Sequence, residues 1–371
     1  MTLSILPDTD AGIPTVLAEP PLDPNRFIEP DGALTDLGRA HGIDLTLARQ
    51  LYRDMAGTRR FDQEAYSLQR RGELSLYLQS IGQEAAQVGS IRALRDSDTV
   101  FPSYRERGVE LVRGLTPAEM LRPWRGTRHA GWSPEPSNVR PISVVLGVQT
   151  LHAVGYALGA VAEGTDEVVC TYFGDGASSE GDVSEALNWS AASHLPMLFF
   201  VQNNQWAIST PNYLQMGSSL HRRAAGFGLR AYHVDGNDAL AVHAVTTQAA
   251  VHIRAGGGPV LIEAQTYRMA GHSTSDDPKR YRQQDEVEQW HRLDPLARLR
   301  VVLEEGGTPQ SWFDRLEESL DRYGQTVREA CLALKAEEFD ELYDLVYADP
   351  HPRLDEQRAE RARFLATVAG A

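Results

Sequence analysis

The chain has few of the features that mark secreted, membrane-bound or metal-stapled proteins. Its 371 residues include two cysteines, Cys170 and Cys331, which are too few for a disulfide framework and are not spaced as a zinc site. Cys170 sits in an apolar run and Cys331 in a helical pattern, so we expect two core thiols and a reducing, cytoplasmic compartment. No apolar run approaches the ~20 residues of a membrane span, and no basic-then-apolar signal pattern opens the sequence.

Positive charge is also scarce relative to negative charge. Lys and Arg number 36 against 51 Asp and Glu, which gives a formal net charge of −15. A phosphate backbone is repelled by such a surface, so we expect no nucleic-acid partner, whereas a basic protein partner stays compatible. The apolar fraction of 42% is ordinary for a globular chain, and the length allows a full hydrophobic core.

The middle of the chain alternates short apolar runs with amphipathic stretches. EVVCTYF (167–173), PMLFFV (196–201) and the first half of PVLIEAQTY (259–267) are typical of strands buried on both faces of a parallel sheet. Apolar residues at helical spacing lie between the first two runs, which completes a βαβ unit. The sequence therefore predicts an α/β fold with a central, mostly parallel sheet flanked by helices.

The flanking regions differ from this middle part. Residues 1–40 are rich in Pro, Asp and Gly and are interpreted as an extended arm, and residues 41–300 as the α/β domain. Residues 301–371 are acidic, arginine-rich and helical in pattern, which predicts a helical extension. Within the domain, helical periodicity also covers residues 45–71, 80–94 and 238–256, and a further strand pattern covers 229–238.

Polar residues follow the predicted strands at the points where those strands end. Asp175 lies between two glycines after the first run, Asn204 follows the second, and the third leads towards His272. Ligands of open parallel sheets bind beyond the carboxyl ends of the strands, so these residues converge if the strands are neighbours. A carboxylate and an amide oxygen suit Mg²⁺, which also takes phosphate oxygens and water.

Simpler interpretations of the same residues stay open at this point. Gly174-Asp175-Gly176 is also a common turn between a strand and a helix, and Asn203-Asn204 is a second turn sequence. A dinucleotide fingerprint is excluded because position 179 is Ser where a third glycine is required, and no Gly-Lys-Ser/Thr phosphate loop occurs.

Several motifs taken together resemble a known family. GDGASSEGD from Gly174 and NNQWAIST from Asn203 resemble the thiamine diphosphate motif, which opens with GDG and closes with NN. SIGQEAAQVGS, FPSYRERG, HVDGND and YRMAGHSTSDDPKRYR are similar to segments of the α subunit of the decarboxylating component of 2-oxo acid dehydrogenase complexes, nearest the branched-chain type. The resemblance is strong from residue 59 to residue 290 and looser toward both ends. It implies the thiamine diphosphate-binding fold.

The resemblance also implies roles for particular residues. Asp175, Asn204 and the carbonyl of Trp206 bind the metal, and His272 is the catalytic histidine, which also meets the cofactor. Tyr104 and Arg105 grip the diphosphate, Leu146 meets the aminopyrimidine, and Leu76 and Tyr104 line the substrate pocket. The other residues implied at the cofactor are Ser103, Val144, Gly174, Gly176, Ala177, Ser178, Glu180 and Ile208.

The resemblance also implies an activity for this chain. The resemblance implies oxidative decarboxylation of a 2-oxo acid of the 2-oxoisovalerate type, with thiamine diphosphate and Mg²⁺ as cofactors. The acyl group passes to the lipoyl group of an acyltransferase core. A second, β-type chain supplies the carboxylate that activates the aminopyrimidine, so an α2β2 heterotetramer is implied.

Departures from the family pattern leave alternatives open. Residues 126–143 differ from the usual pocket segment, residues 144–149 (VVLGVQ) lack positions linked to a potassium site, and Gln202 stands where some branched-chain enzymes have Arg. Substrate identity and potassium binding therefore do not follow. A pyruvate- or acetoin-type α subunit and a non-catalytic paralogue are the alternatives, the last disfavoured by the intact Asp175 and His272.

Overall fold

The computed structural model describes residues 24–127, 131–336, 341–344 and 346–369. Its strands are β1 (Thr99–Phe101), β2 (Val169–Gly174), β3 (Met197–Asn203), β4 (Trp206–Ala207), β5 (Thr210–Pro211), β6 (Arg230–Asp235) and β7 (Val260–Gln265). Its helices are α1 (Asp36–His41), α2 (Leu45–Arg70), α3 (Glu84–Arg92), α4 (Arg107–Val112), α5 (Pro117–Arg125), α6 (Val148–Glu163), α7 (Gly181–Ala192), α8 (Asn212–Gln215), α9 (Leu220–Gly226), α10 (Ala239–Arg254), α11 (Gln284–His291), α12 (Pro295–Glu305), α13 (Gln310–Ala333), α14 (Glu341–Asp344) and α15 (Pro352–Ala369).

Within the described part of the chain, five strands form one parallel sheet in the order β1-β2-β3-β7-β6. Gly174 at the end of β2 pairs with Gln202, and Asn203 at the end of β3 pairs with Gln265. The carboxyl ends of β2, β3 and β7 are therefore level with one another. The predicted α/β fold and its parallel strands are confirmed, with boundaries shifted by one to three residues at most ends.

The sheet is buried on both faces because its side chains alternate between two apolar layers. Phe173, Phe199 and Leu261 face α6, α7 and α9 on one side, whereas Tyr172 and Phe200 belong to the larger core formed with α2, α3, α10, α12 and α13. All these side chains are essentially inaccessible to water, and such burial is the main favourable term in folding. This explains why the strand runs are apolar throughout and do not alternate with polar residues.

The described residues of the N-terminal flanking region and helix α13 of the C-terminal one pack on this domain, whereas α15 is mostly exposed. Asn25 pairs with Val234 beside β6, and the backbone N–H groups of Phe27 and Ile28 donate to the buried carboxylate of Asp238 at 2.6 and 2.7 Å. Helix α13 lies against α2, where the Phe313 ring packs on Tyr52. Residues 1–23 of the predicted arm lie outside the described residues. The division at residues 40 and 300 stays a prediction.

Both cysteines are buried and unpaired, as predicted from their apolar surroundings. Burial raises the pKa of the Cys170 thiol well above its usual value, so it is protonated at neutral pH. Among the described helices, none combines the length and apolarity needed to cross a bilayer.

Candidate active site

A cleft opens at the carboxyl edge of the sheet, where four neighbouring strands end. β1 leads to Tyr104 and Arg105, β2 to Asp175, β3 to Asn204, and β7 to the loop that carries His272. The predicted residues that line it are Ser103, Tyr104, Arg105, Leu146, Gly174, Asp175, Gly176, Ala177, Asn204, Trp206, Ile208 and His272. The convergence expected from the sequence therefore occurs, and its cause is the adjacency of the strands.

Four residues assigned to the cofactor or substrate lie outside this cleft. Val144 is 68% exposed, two positions before Leu146, and Glu180 is exposed at the start of α7. Ser178 is buried behind the cleft, where its hydroxyl donates to the carbonyl of Asp175 at 2.6 Å and closes a short turn. Leu76 is half-buried against the main core. Their assignment to ligands stays a prediction.

Asp175 is a buried carboxylate without a cationic side-chain partner among the described residues. It has no exposed surface and accepts hydrogen bonds from the backbone N–H of Asn204 at 3.3 Å and from Nε2 of Gln215 at 3.1 Å. Burial raises the pKa of Asp175 to about 6, although these donors act in the opposite direction. At neutral pH Asp175 therefore carries a negative charge inside the protein, a state that a bound cation would stabilise.

The two asparagines after β3 begin a tight left-handed turn. Gln205 has a φ of 73°, and the side chain of Asn204 donates to Oε1 of Gln83 at 3.2 Å and accepts from the backbone N–H of Trp206 at 3.3 Å. The backbone N–H of Arg268 donates to the carbonyl of Asn204 at 3.1 Å. The turn thereby brings the side chain of Asn204 to the edge where Asp175 lies, and the carbonyl of Trp206 accepts from Nη1 of Arg268 at 3.4 Å.

Two guanidinium groups line the same cleft, and neither forms an ion pair within the described part of the chain. Arg105 donates to the carbonyls of Gln79 and His272 at 2.6 and 2.8 Å. Arg268 donates to the carbonyl of Ile208 at 2.6 Å. Burial and the nearby Arg105 lower the pKa of Arg268 to about 10. Arg268 therefore stays charged at neutral pH, and two planar guanidinium groups suit the cleft to an anion with several oxygens, such as a diphosphate.

His272 faces these guanidiniums at the mouth of the cleft. Nη2 of Arg105 lies 3.5 Å from its Nδ1, and the Tyr104 ring packs edge-on against the imidazole. Because a guanidinium only donates, Nδ1 faces it as an acceptor and the proton resides on Nε2. Burial, then Arg105 and Arg268, lower the pKa of His272 to about 4, and Asp276 opposes this shift. The imidazole is therefore neutral at pH 7.

Comparison with known proteins identifies the family. The model of the family described as "Dehydrogenase E1 component" matches residues 52–339. The chain belongs to the dehydrogenase E1 component family. Its members depend on thiamine diphosphate, and its fold is the thiamine diphosphate-binding fold implied by the sequence motifs.

Several relatives of this dehydrogenase E1 component cover most of the chain. The 3-methyl-2-oxobutanoate dehydrogenase subunit alpha of Mycobacterium tuberculosis is 46% identical over 351 residues, which span 93% of this chain and 95% of that protein. The 2-oxoisovalerate dehydrogenase subunit alpha 2, mitochondrial, of Arabidopsis thaliana is 36% identical over 90% of this chain and 73% of its own length. The pyruvate dehydrogenase E1 component subunit alpha of Acholeplasma laidlawii is 34% identical over 86% and 94%.

The residues present fit the cofactor that this family uses. A Cβ at Gly176 would lie 2.9 Å from the Cβ of Ala207, so the chain passes too closely there for any side chain. Nε2 of Gln83, buried at the cleft, has no partner among the described residues, which suits an unfilled acceptor oxygen. No group of three or more His, Cys, Asp or Glu side chains in the described residues is able to hold a metal by itself. One carboxylate, one amide and a carbonyl would form an incomplete metal-ligand set, which phosphate oxygens would complete.

Five residues that line the cleft of this dehydrogenase E1 component were not assigned to it from the sequence. They are Gln83, Glu106, Gln202, Ala207 and Arg268. Arg268 lies three positions after the end of β7. Its place near a strand end was an available signal. Gln83 carried none, because a glutamine is typical of any polar surface until the tertiary structure buries it, and Gln202 was noted in the sequence only as a departure from the Arg of some branched-chain enzymes.

Proposed function

We propose that this chain is the α subunit of a 2-oxo acid dehydrogenase of the branched-chain type. Together with a β subunit it decarboxylates a 2-oxo acid oxidatively and passes the acyl group to a lipoyl group of an acyltransferase core. The observation that carries the proposal is the cleft, in which the unpaired carboxylate of Asp175 lies near the unpaired guanidiniums of Arg105 and Arg268. The substrate type rests on the 46% identity to the mycobacterial 3-methyl-2-oxobutanoate dehydrogenase subunit.

In this proposal the chain's own residues bind and orient the cofactor. Asp175, Asn204 and the carbonyl of Trp206 hold Mg²⁺, and the two guanidiniums neutralise the rest of the diphosphate charge. When bound, thiamine diphosphate supplies the nucleophilic carbon and the electron sink that no side chain offers. His272 is neutral at pH 7 and carries its proton on Nε2, so it is able to donate a hydrogen bond from Nε2 to a reacting group during acyl transfer.

The partner is supported by exposed apolar residues on segments beside the cleft. Val144 and Val145 are 68% and 70% exposed, and Tyr213 and Leu214 of α8 are 75% and 69% exposed. Large exposed apolar side chains on two segments beside a cleft support a protein interface there. We assign it to the β subunit of an α2β2 heterotetramer, and we assign the assembly to the cytoplasm on the strength of two unpaired thiols.

The first test removes the carboxylate. Asp175→Ala in the αβ assembly is expected to abolish Mg²⁺-dependent binding of thiamine diphosphate, because the diphosphate charge then lacks its main cationic bridge. Isothermal titration calorimetry with and without Mg²⁺ measures the effect. Asp182→Ala, which removes an exposed carboxylate in the first turn of α7, is the matched control and should bind as wild type does. Unchanged cofactor affinity in Asp175→Ala contradicts the site.

The substrate class is tested separately. The purified αβ protein is expected to turn over 3-methyl-2-oxobutanoate faster than pyruvate or acetoin, measured by reduction of an artificial electron acceptor. Pyruvate is the second candidate, since pyruvate dehydrogenase α subunits also match this chain at 34% and 37% identity. Turnover of pyruvate alone reassigns the substrate and leaves the cofactor site unaffected.

A further inference from the structure

A second buried carboxylate lies behind the cleft, in the central strand β7. Glu263 is 1% exposed and does not line the cleft. Its Oε2 accepts from the backbone N–H and from Nδ1 of His221, at 2.9 and 2.6 Å, and its Oε1 accepts from Nδ2 of Asn203 at 2.7 Å. Burial raises the pKa of Glu263, but these donors outweigh that effect and hold the pKa below its usual value. The group is therefore ionised and accepts only.

The carboxylate decides which way the amide of Asn203 points. Since Glu263 only accepts, Asn203 must present its NH₂ group to it, and Oδ1 must face the opposite side. There, Oδ1 accepts from the backbone N–H of Gln205 at 3.4 Å and from Nδ2 of Asn212 at 3.3 Å. Asn203 is 6% exposed, so water does not replace either partner easily. The amide thereby fastens the turn at Gln205 to the sheet.

That turn carries the groups assigned to the cation. Gln205, whose φ of 73° is unfavourable for a residue with a side chain, lies between Asn204 and Trp206. The backbone N–H of Asn204 reaches Oδ1 of Asp175 at 3.3 Å. A turn held in this strained conformation aims the Asn204 side chain and the Trp206 carbonyl, so whatever fixes the turn also fixes the ligand geometry.

We propose that Glu263 is a positioning residue for the cation site and acts through Asn203. His221 keeps the carboxylate ionised, the carboxylate orients the amide of Asn203, and the amide holds the turn that lies between Asn204 and Trp206. This inference rests on the proposed function, because it takes Asn204 and the Trp206 carbonyl as metal ligands.

A pair of variants isolates this role. In Glu263→Gln, the side-chain oxygen stays with the two N–H groups of His221 and the new NH₂ faces Asn203. Asn203 then has to turn its oxygen to residue 263 and its NH₂ to the N–H of Gln205, where two donors meet. In the double variant Asn203→Asp with Glu263→Gln, the new NH₂ donates to one carboxylate oxygen and the other oxygen again accepts from the turn. The hydrogen bond between residues 203 and 263 is restored with donor and acceptor exchanged, and the bonds from His221 and from the turn keep their direction.

The measurement is the Mg²⁺ concentration for half-saturation of thiamine diphosphate binding in the αβ assembly, determined by calorimetry. Glu263→Gln is expected to raise it about 10–100-fold, the usual effect of losing a residue that orients a metal ligand. The double variant is expected to return close to the wild-type value. If Glu263→Gln does not assemble, the double variant alone decides: near-wild-type Mg²⁺ dependence supports the proposal, and a large increase overturns it.

Asp98→Asn is the matched control for loss of a buried carboxylate. Asp98 is fully buried, pairs with Arg254 and lies before β1, at the opposite end of the sheet from the cleft. Asp98→Asn should melt earlier than the wild type, with wild-type Mg²⁺ dependence of cofactor binding.

If the wild type binds the cofactor without Mg²⁺, the proposed function fails. If the wild type requires Mg²⁺ and Asp175→Ala loses binding while Glu263→Gln matches wild type, only the positioning role fails.

Discussion

At the scale of single residues, the cleft holds two ionisable groups in costly states. Burial raises the pKa of Asp175 from 3.8 to about 6. Ionisation of this carboxylate therefore lowers the free energy of unfolding progressively between pH 3.8 and about 6, and by its full amount at higher pH. The pKa of His272 falls from 6.5 to about 4 in the folded protein. Between these two pH values the imidazole is protonated in the unfolded chain and neutral in the folded one, so the free energy of unfolding decreases as the pH falls from 6.5 to about 4. Binding of the metal and cofactor relieves the first of these costs.

His272 is expected to serve the chemistry and not the fold. His272→Ala should leave assembly, Mg²⁺ dependence and cofactor affinity near wild type, while the rate of acyl transfer to a lipoyl domain falls about 10²–10⁴-fold, as for a positioned acid or base. Single-turnover acylation of a lipoyl domain measures the rate. Decarboxylation followed with an artificial electron acceptor is expected to fall less, because that assay bypasses the lipoyl step.

A melting curve of the same variant separates this role from a packing role. A histidine that merely packs its loop predicts an early transition and normal acylation per folded molecule. His291→Ala, at the end of α11, is the control for loss of an exposed imidazole and should acylate normally. Normal acylation by His272→Ala removes this residue from the catalytic set.

At the scale of elements, the segment before α3 is tied to the segment after β7. Gly82 has a φ of 92°, and a Cβ there would lie 2.3 Å from the carbonyl oxygen of Tyr267. The hydroxyl of Thr266 donates to the carbonyl of Gly82 at 2.5 Å. Gln83, next along the chain, lines the cleft. The contact between two backbones therefore sets the position of one wall of the site.

Gly82→Ala tests this contact. We expect a loss of about 2–4 kcal/mol in the free energy of unfolding, because the left-handed φ costs about 1–2 kcal/mol and the backbone clash adds to it. Chemical denaturation measures the change, and weaker cofactor binding should accompany it because Gln83 moves. Gly72→Ala is matched in φ at 82° but has no atom within 4 Å of the added Cβ, so it should lose only about 1 kcal/mol. Equal losses in the two variants contradict a specific contact at Gly82.

At the scale of the whole molecule, the cleft is bordered by apolar surface. Val145 and Leu214 are 70% and 69% exposed, and Ile208, which lines the cleft, is 55% exposed. Apolar side chains of this size are usually covered when they lie together. In the proposed assembly, a partner that covers these residues would also close the cleft, which would couple assembly to cofactor binding.

Val145→Asp is expected to prevent assembly with the β subunit without harming the isolated chain. A charge at the centre of an apolar interface is desolvated on association and finds no partner, which costs several kcal/mol of binding. Analytical ultracentrifugation of mixed α and β chains, beside a melting curve of α alone, measures both effects. Val251→Asp, at a 55% exposed position on α10, is the control and should assemble. Normal α2β2 formation by Val145→Asp places the interface elsewhere.

The sequence by itself determined the elements of this protein and the chemistry at their ends. Hydrophobic periodicity is local, so the runs at 167–173 and 196–201 predicted β2 and β3 within a few residues. Asp175 and Asn204 were identified because each lies just beyond such a run, and the order of several short motifs in the sequence indicated the family. These features depend only on residues that are near one another in the chain.

Only the tertiary structure decided which of these ends meet. Arg105 and His272 lie 167 positions apart and touch because β1, β2, β3 and β7 are consecutive in the sheet, an order that no local pattern encodes. The same adjacency buries Arg268 and Glu263, which in sequence are typical polar residues, and gives them roles at the site. Strand order is set by how the connecting helices bury both faces of the sheet, so it depends on contacts between residues distant in sequence.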